Sequence, residues 1–186
     1  DAAVNDMSSS SVWLDFDNDG WQDLFVAIQP FWLQPGQNRL LKNENGNFIN
    51  WTVAGGIWGQ IGESYGAATG DFNNDGHEDL AVEFQSPNSM KILQNYGLEG
   101  NSVKLKLTGV ISNRDAIGAH IELFAGGQKY IRGIRCGENY LGQNSQIKTF
   151  GIGELCYVDS VNIQWPSGII DHLFDLVCDS TYVITE

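Results

Sequence analysis

Long apolar runs are missing from this 186-residue chain. No stretch reaches the roughly 18 consecutive apolar residues of a membrane-spanning helix, so helical membrane insertion is excluded. Helical periodicity is missing too. No window of about 11 residues keeps its apolar side chains on a 3.6-residue repeat, which argues against amphipathic helices. Positive charge is scarce: 10 Lys and Arg stand against 23 Asp and Glu, a formal net charge of −13. Nucleic acid needs a basic face for its phosphates, so it is excluded as a partner, as are anionic membranes. Cysteine occurs only at 136, 156 and 178, at separations of 20 and 22 residues that match no zinc pattern. Secretion would favour one disulfide and a leftover thiol, and all three pairings, like the fully reduced state, stay open. Enzyme signatures are lacking as well. There is no Gly-x-Ser-x-Gly elbow, phosphate loop or His-Glu-x-x-His. The three histidines stand apart. His77 is in a loop where its side chain should point outward, His120 is in an alternating strand, and His172 follows Asp171 with no nucleophile at hand. The chain is expected not to be an enzyme.

What is present is glycine, at 22 residues, with much Asn, Gln and Ser, which together predict many turns. Apolar residues make up 42%, enough for a sizeable core in a chain of this length. The chain starts at Asp1 rather than Met and reads as a processed or excised piece, with no signal-peptide pattern. Two segments align at a spacing of 56 residues, Asp15–Val26 and Asp71–Val82. Matching second elements follow at Asn38–Asn43 and Ser89–Asn95. Residues 1–109 therefore read as two copies of one unit, about 1–56 and 57–109, in the size range of propeller-blade repeats. Short apolar stretches such as Val12–Leu14 and Leu24–Ile28, bounded by Gly, Asn and Pro, have strand length. From about 110 the repeat is lost. Candidate strands continue at 119–124, 129–134, 147–150, 158–165 and 182–184, with Gly126-Gly127 as a hairpin turn. The predicted fold is all-β: two propeller-type blades, then a sandwich- or barrel-like domain over 110–186.

The densest chemistry is Asp-x-Asp-x-Asp-Gly-x-x-Asp at 15–23. Calcium is a hard cation that takes six to eight oxygens, and alternate side chains of a tight loop converge on one point. Asp15, Asp17, Asp19 and Asp23 would supply carboxylates and Trp21 a backbone carbonyl, with Gly20 closing the turn. The second loop offers Asp71, Asn73, Asp75 and Asp79, with the carbonyl of His77. Asn73 replaces a charge by a neutral oxygen, so the second site is expected to be the weaker. An EF-hand is excluded, since the twelfth positions are Val26 and Val82 and the flanks are not helical. Four acids within nine residues repel one another unless a cation neutralises them. Magnesium fits less well, because it rarely uses all-protein cages.

At these residues the sequence resembles the FG-GAP/VCBS repeats, which are similar to the calcium-loop blades of integrin α-subunit propellers. That resemblance implies propeller blades, an extracellular setting and structural calcium at two sites. A closed propeller needs at least four blades, and two are visible. Either further blades lie outside this chain, or the two blades pack on the second domain. Asn113–Ala119 resembles the opening of the ASPIC/UnbV domain. Gly137, Tyr140-Leu141, Gln143–Ser145, Phe150–Gly153, Val158–Val161 and Trp165–Gly168 carry the likeness onward. The same order of domains occurs in cartilage acidic proteins and many bacterial secreted proteins, and it implies no established catalytic chemistry.

The functional expectation is a secreted or cell-surface adhesion module that binds calcium and contacts an extracellular protein or glycan. The alternatives are a carbohydrate-binding accessory module of a secreted enzyme and a structural subunit of a surface assembly, completed by further blades or subunits. The apolar loop Gln29–Gly36, with Phe31 and Trp32, is the candidate contact surface. Asn50-Trp51-Thr52 would be a glycosylation site in a eukaryotic source.

Overall fold

The computed structural model describes residues 7–29, 36–57, 64–84, 90–97 and 100–186. Among them every regular element is a strand, and none is a helix able to cross a membrane. Phe31 and Trp32 lie outside the described residues.

The first sheet is an antiparallel meander of β1 (Met7–Leu14), β2 (Asp23–Gln29), β3 (Arg39–Glu44) and β4 (Asn47–Asn50). Period-2 patterning sets its faces: Val12 and Leu14 are buried while Trp13 between them is half exposed. The β3–β4 turn is Asn45-Gly46, both at positive φ (53° and 87°), as a two-residue hairpin turn with matching twist requires. The second sheet is β5 (Ser64–Gly70), β6 (Asp79–Phe84) and β7 (Met90–Leu93), again antiparallel. The two sheets share one core, in which Val12, Leu14 and Phe25 of the first meet Ala67, Leu80, Val82 and Phe84 of the second. Each of the Val, Leu and Phe side chains among them contributes about 1.5–3 kcal/mol by leaving water.

The remaining strands build a sandwich. One sheet has the order β10-β9-β12-β13 and the other β11-β8-β14. The strands are β8 (Asn101–Thr108), β9 (His120–Ala125), β10 (Gln128–Gly133), β11 (Lys148–Gly153), β12 (Tyr157–Gln164), β13 (Ile170–Val177) and β14 (Ser180–Thr185). Leu105, Ile121, Leu123, Phe150, Val161, Ile163 and Trp165 fill the core between them. The indole N–H of buried Trp165 donates to Asp171 at 2.8 Å, so this ring is buried without stranding its polar atom. Gly126-Gly127 closes the β9–β10 hairpin as expected.

Two elements differ from the sequence reading. Strand β8 falls inside the 1–109 segment read as repeats, yet it pairs with β11 and β14 and buries Val103, Leu105 and Leu107 in the sandwich core. Strand β13 was not anticipated, because as an edge strand it mixes Asp171, His172 and Asp175 with exposed Ile170 and Phe174.

The sandwich's end is held by one carboxylate. Glu186 accepts the N–H groups of Val110, Ile111 and Ser112 at 2.9, 2.9 and 2.6 Å, and the hydroxyls of Ser112 and Ser167. Desolvation raises its pKa, but these hydrogen bonds outweigh it and pull the group from 4.5 to about 2. A depressed folded pKa means the stabilisation is complete above about 4.5 and fades as pH falls toward 2. Glu186→Gln is therefore expected to lower the melting temperature by a few degrees at neutral pH. The gap should close as melts are repeated at falling pH, and a gap independent of pH would refute the assignment.

Candidate metal loops at the blade–sandwich junction

Each repeat turns from its first long strand into the next through the acidic loop, and the two loops are built alike. In the first, Asp15 Oδ2 accepts Gly20 N–H at 3.0 Å, Asp17 Oδ1 accepts Asp19 N–H at 3.3 Å, and Asp19 Oδ1 accepts Trp21 N–H at 2.8 Å. In the second, Asp71 Oδ2 accepts Gly76 N–H at 2.9 Å, Asn73 Oδ1 accepts Asp75 N–H at 3.1 Å, and Asp75 Oδ1 accepts His77 N–H at 3.0 Å. Asn18 and Asn74 occupy the left-handed region (φ 57° and 63°), and Gly20 and Gly76 both stand at 93°. The closing aspartates clamp rather than dangle. Asp23 accepts Phe16 and Asn43 N–H at 3.1 and 2.8 Å, and Asp79 accepts Phe72 and Asn95 N–H at 2.9 and 2.7 Å. They tie each loop to the end of its repeat's second element, the Asn shared by both copies.

The surroundings of the loops differ sharply. Asp15, Asp17, Asn18 and Asp23 are buried, whereas Asn73, Asn74 and Asp75 are exposed. Carboxylate oxygens of Asp15, Asp17 and Asp19 lie within 4.8 Å of one another. Burial pushes the Asp15 carboxyl well up, against Arg132 and with the charges of Asp19, Asp23 and Asp17. Burial also raises Asp19, and carries Asp23 to about 7 despite its two backbone hydrogen bonds. Lys42 bonds Asp17 and stands 3.6 Å from Asp19, a single ammonium against four aspartates. Asp15 Oδ1 is buried and has no hydrogen-bond partner among the described residues. An orphan carboxylate oxygen beside two converging carboxylates is a set of hard oxygen donors, and it fits a divalent cation such as calcium.

The second loop has an internal cation. Lys104 of β8 donates to Asp71 Oδ2 at 2.7 Å and to Asn74 Oδ1 at 2.6 Å. Both members of the pair are nearly buried. Burial raises the Asp71 pKa, but the hydrogen bonds from Lys104 and Gly76 prevail and lower it.

The sandwich touches both loops. Gly153 N–H donates to Asn18 O at 2.8 Å, and Ser102 Oγ to Gly76 O at 2.8 Å. Asn144 Oδ1 accepts Thr69 N–H at 3.0 Å, and Ser145 N–H donates to Thr69 O at 2.9 Å. Asn18 Nδ2 lies within 3.3 Å of Gly76 O, Gly100 O and His77 Nδ1, joining the two loops and the linker to β8. The expected outward direction of His77 is thus corrected. Its ring lies against Asn18 and over Gly97, because the two loops meet there. Glu78 bonds Asp15 N–H at 3.3 Å, and burial lifts it to about 7 against the charge of Arg132. The Arg132 guanidinium is desolvated near Asp15 and Glu78, with its carbon 5.3 Å from the centre of the Phe150 ring. Sequence reasoning missed Asn18, Glu78, Lys104 and Arg132. The left-handed Asn was visible in both repeats, but nothing in the sequence ties the distant Lys104 and Arg132 to the loops.

All-β blades of propeller type bearing paired acidic loops, followed by a β-sandwich, define the class of this protein. Comparison with family models agrees: residues 15–82 match the FG-GAP-like repeat and residues 109–186 match ASPIC and UnbV. The chain is an FG-GAP-like repeat protein with an ASPIC/UnbV domain. Comparison with curated proteins gave no match.

Proposed function

We propose that this chain is a calcium-stabilised extracellular adhesion or binding module that contacts a protein or glycan partner and catalyses no reaction. The observation that carries the calcium reading is the buried, unpartnered Asp15 Oδ1 where three carboxylates converge. Calcium would neutralise that cluster when bound. Asp15, Asp17, Asp19 and Asp23, with the Trp21 carbonyl, would hold it in the first loop. Asp71, Asn73, Asp75 and Asp79, with the His77 carbonyl, would do so in the second. The loops should differ in strength. The first is buried and sets four carboxylates against Lys42 and Arg132, while the second has a neutral Asn73 and the Lys104 ammonium already on Asp71. The extracellular setting is supported by the acidic balance and the resemblance of the repeats.

Equilibrium dialysis of the metal-free protein against calcium tests this. Two unequal sites are expected, the tighter lost in Asp19→Ala and the weaker in Asp75→Ala. Lys104→Met should strengthen the weaker site by about tenfold, equivalent to about 1.4 kcal/mol, because it removes a competing cation. Uptake that survives both aspartate substitutions, or no uptake at millimolar calcium, would overturn the reading.

A further inference from the structure

The three cysteines are not equivalent in space. Cys156 immediately precedes β12 and Cys178 immediately follows β13. These strands pair antiparallel, with Tyr157 opposite Val177 and Val158 opposite Leu176, so the register continues to Cys156 opposite Cys178. One backbone hydrogen bond reaches that position, just beyond the ladder: Cys178 N–H donates to Cys156 O at 3.0 Å. The backbone of Val177 points the other way, since both its N–H and its carbonyl bond the Tyr182 hydroxyl. Cys156 and Cys178 are therefore cross-strand neighbours at the end of the β12–β13 ladder, joined by that one hydrogen bond, and directly opposed residues of antiparallel strands have Cα atoms about 4.5–5.5 Å apart, inside the roughly 4.4–6.8 Å that a disulfide spans. Directly opposed residues also share a sheet face. Cys136 lies in the segment between β10 and β11, exposed, with no strand register relating it to either partner.

We infer that Cys156 and Cys178 form a cross-strand disulfide in an oxidising compartment and that Cys136 remains a thiol. The reaction is thiol–disulfide exchange with a small disulfide such as oxidised glutathione. One protein thiolate attacks it and releases one reduced glutathione. The second protein thiolate then displaces the other. Two protons leave the protein thiols, the Cys156–Cys178 S–S bond forms, and the donor's S–S bond is reduced to two thiols. Desolvation and the neighbouring Asp179 charge raise the Cys178 pKa, so the more exposed Cys156 is the better first attacker.

The bond would brace the entry of the linker into the sandwich. Beside Cys156, the Leu155 carbonyl accepts Asn101 Nδ2 at 2.9 Å. Beside Cys178, Asp179 exchanges two hydrogen bonds with Ser102, at 2.6 and 3.2 Å. Ser102 in turn bonds Gly76 of the second acidic loop. Joining the strand ends fixes both residues that grip Asn101 and Ser102.

The whole chain, refolded in a glutathione redox buffer, is alkylated without reduction, digested and mapped by mass spectrometry. A linked peptide pair holding Cys156 and Cys178, lighter by two hydrogen atoms than the free peptides, is expected, with Cys136 alkylated. Oxidised protein should melt on the order of 5 °C above reduced protein. Cys136→Ser should keep that difference, and Cys156→Ser and Cys178→Ser should each lose it. Cys136 in a linked peptide, or all three cysteines alkylated after equilibration, would overturn the inference.

Discussion

Adding about 10 mM calcium to metal-free protein should raise its melting temperature by about 5–10 °C, and EDTA should reverse the rise. The magnitude follows from mass action: with a dissociation constant near 10⁻⁴ M, as in many extracellular modules, this concentration is about 100-fold saturating and adds about 2.7 kcal/mol. For a chain of this size, each kcal/mol moves the midpoint by about 2–4 °C. The first loop should provide most of the effect. Its carboxylates are held together by the fold, close and desolvated, four of them against Lys42 and Arg132. Asp19→Ala should therefore remove more than half of the calcium response. Asp75→Ala should remove a smaller part, since Lys104 already compensates Asp71. Calorimetry with and without calcium on the three proteins decides it, and midpoints indifferent to calcium in all three would sink the proposal.

The acidic loops were legible because their order is local. The hydrogen bonds that turn them join residues a few positions apart: Asp15 to Gly20, Asp19 to Trp21, Asp71 to Gly76. Such spacing is written in the chain, and its recurrence 56 residues later removes coincidence. Blade and sandwich strands were legible for the same reason, through alternation and Asn-Gly or Gly-Gly turns. What could not be read was the partner across a long separation. Lys104 reaches Asp71 from β8, a strand whose own sheet is decided by pairing with residues 148–153 and 180–185. Arg132 comes near Asp15 only because two sheets dock. The unequal burial of two nearly identical motifs is likewise a property of docking: the sandwich lies directly on Asp15–Asn18 and leaves Asn73–Asp75 in water.

The two blades pack on the second domain, and Gly151 sits at a close point of that packing. A Cβ added there would lie 2.3 Å from Asp15 Oδ2, 2.5 Å from Asn18 Cα and 2.6 Å from Asn18 C. Two of those atoms are backbone, and the third belongs to a carboxylate fixed by Gly20 N–H, so no rotamer change relieves the clash. Strand β11 would have to lift from the first loop, taking with it the Gly153 N–H bond to Asn18. Overpacking costs about 1–3 kcal/mol, and an unsatisfied buried backbone group adds about 1–3 more. Gly151→Ala should thus lower the melting temperature by roughly 6–12 °C, taking about 3 kcal/mol as the total cost. It should also weaken the tighter calcium site by about tenfold, a loss of about 1.4 kcal/mol, because the loop loses the surface that orders it. Gly133→Ala is the control. In the same domain its Cβ would meet only ordinary contacts, the nearest at 3.5 Å, and both readouts should stay near wild type. If Gly151→Ala matched that control in stability and calcium affinity, the sandwich would not be what orders the first loop. The two would then be neighbours without energetic coupling.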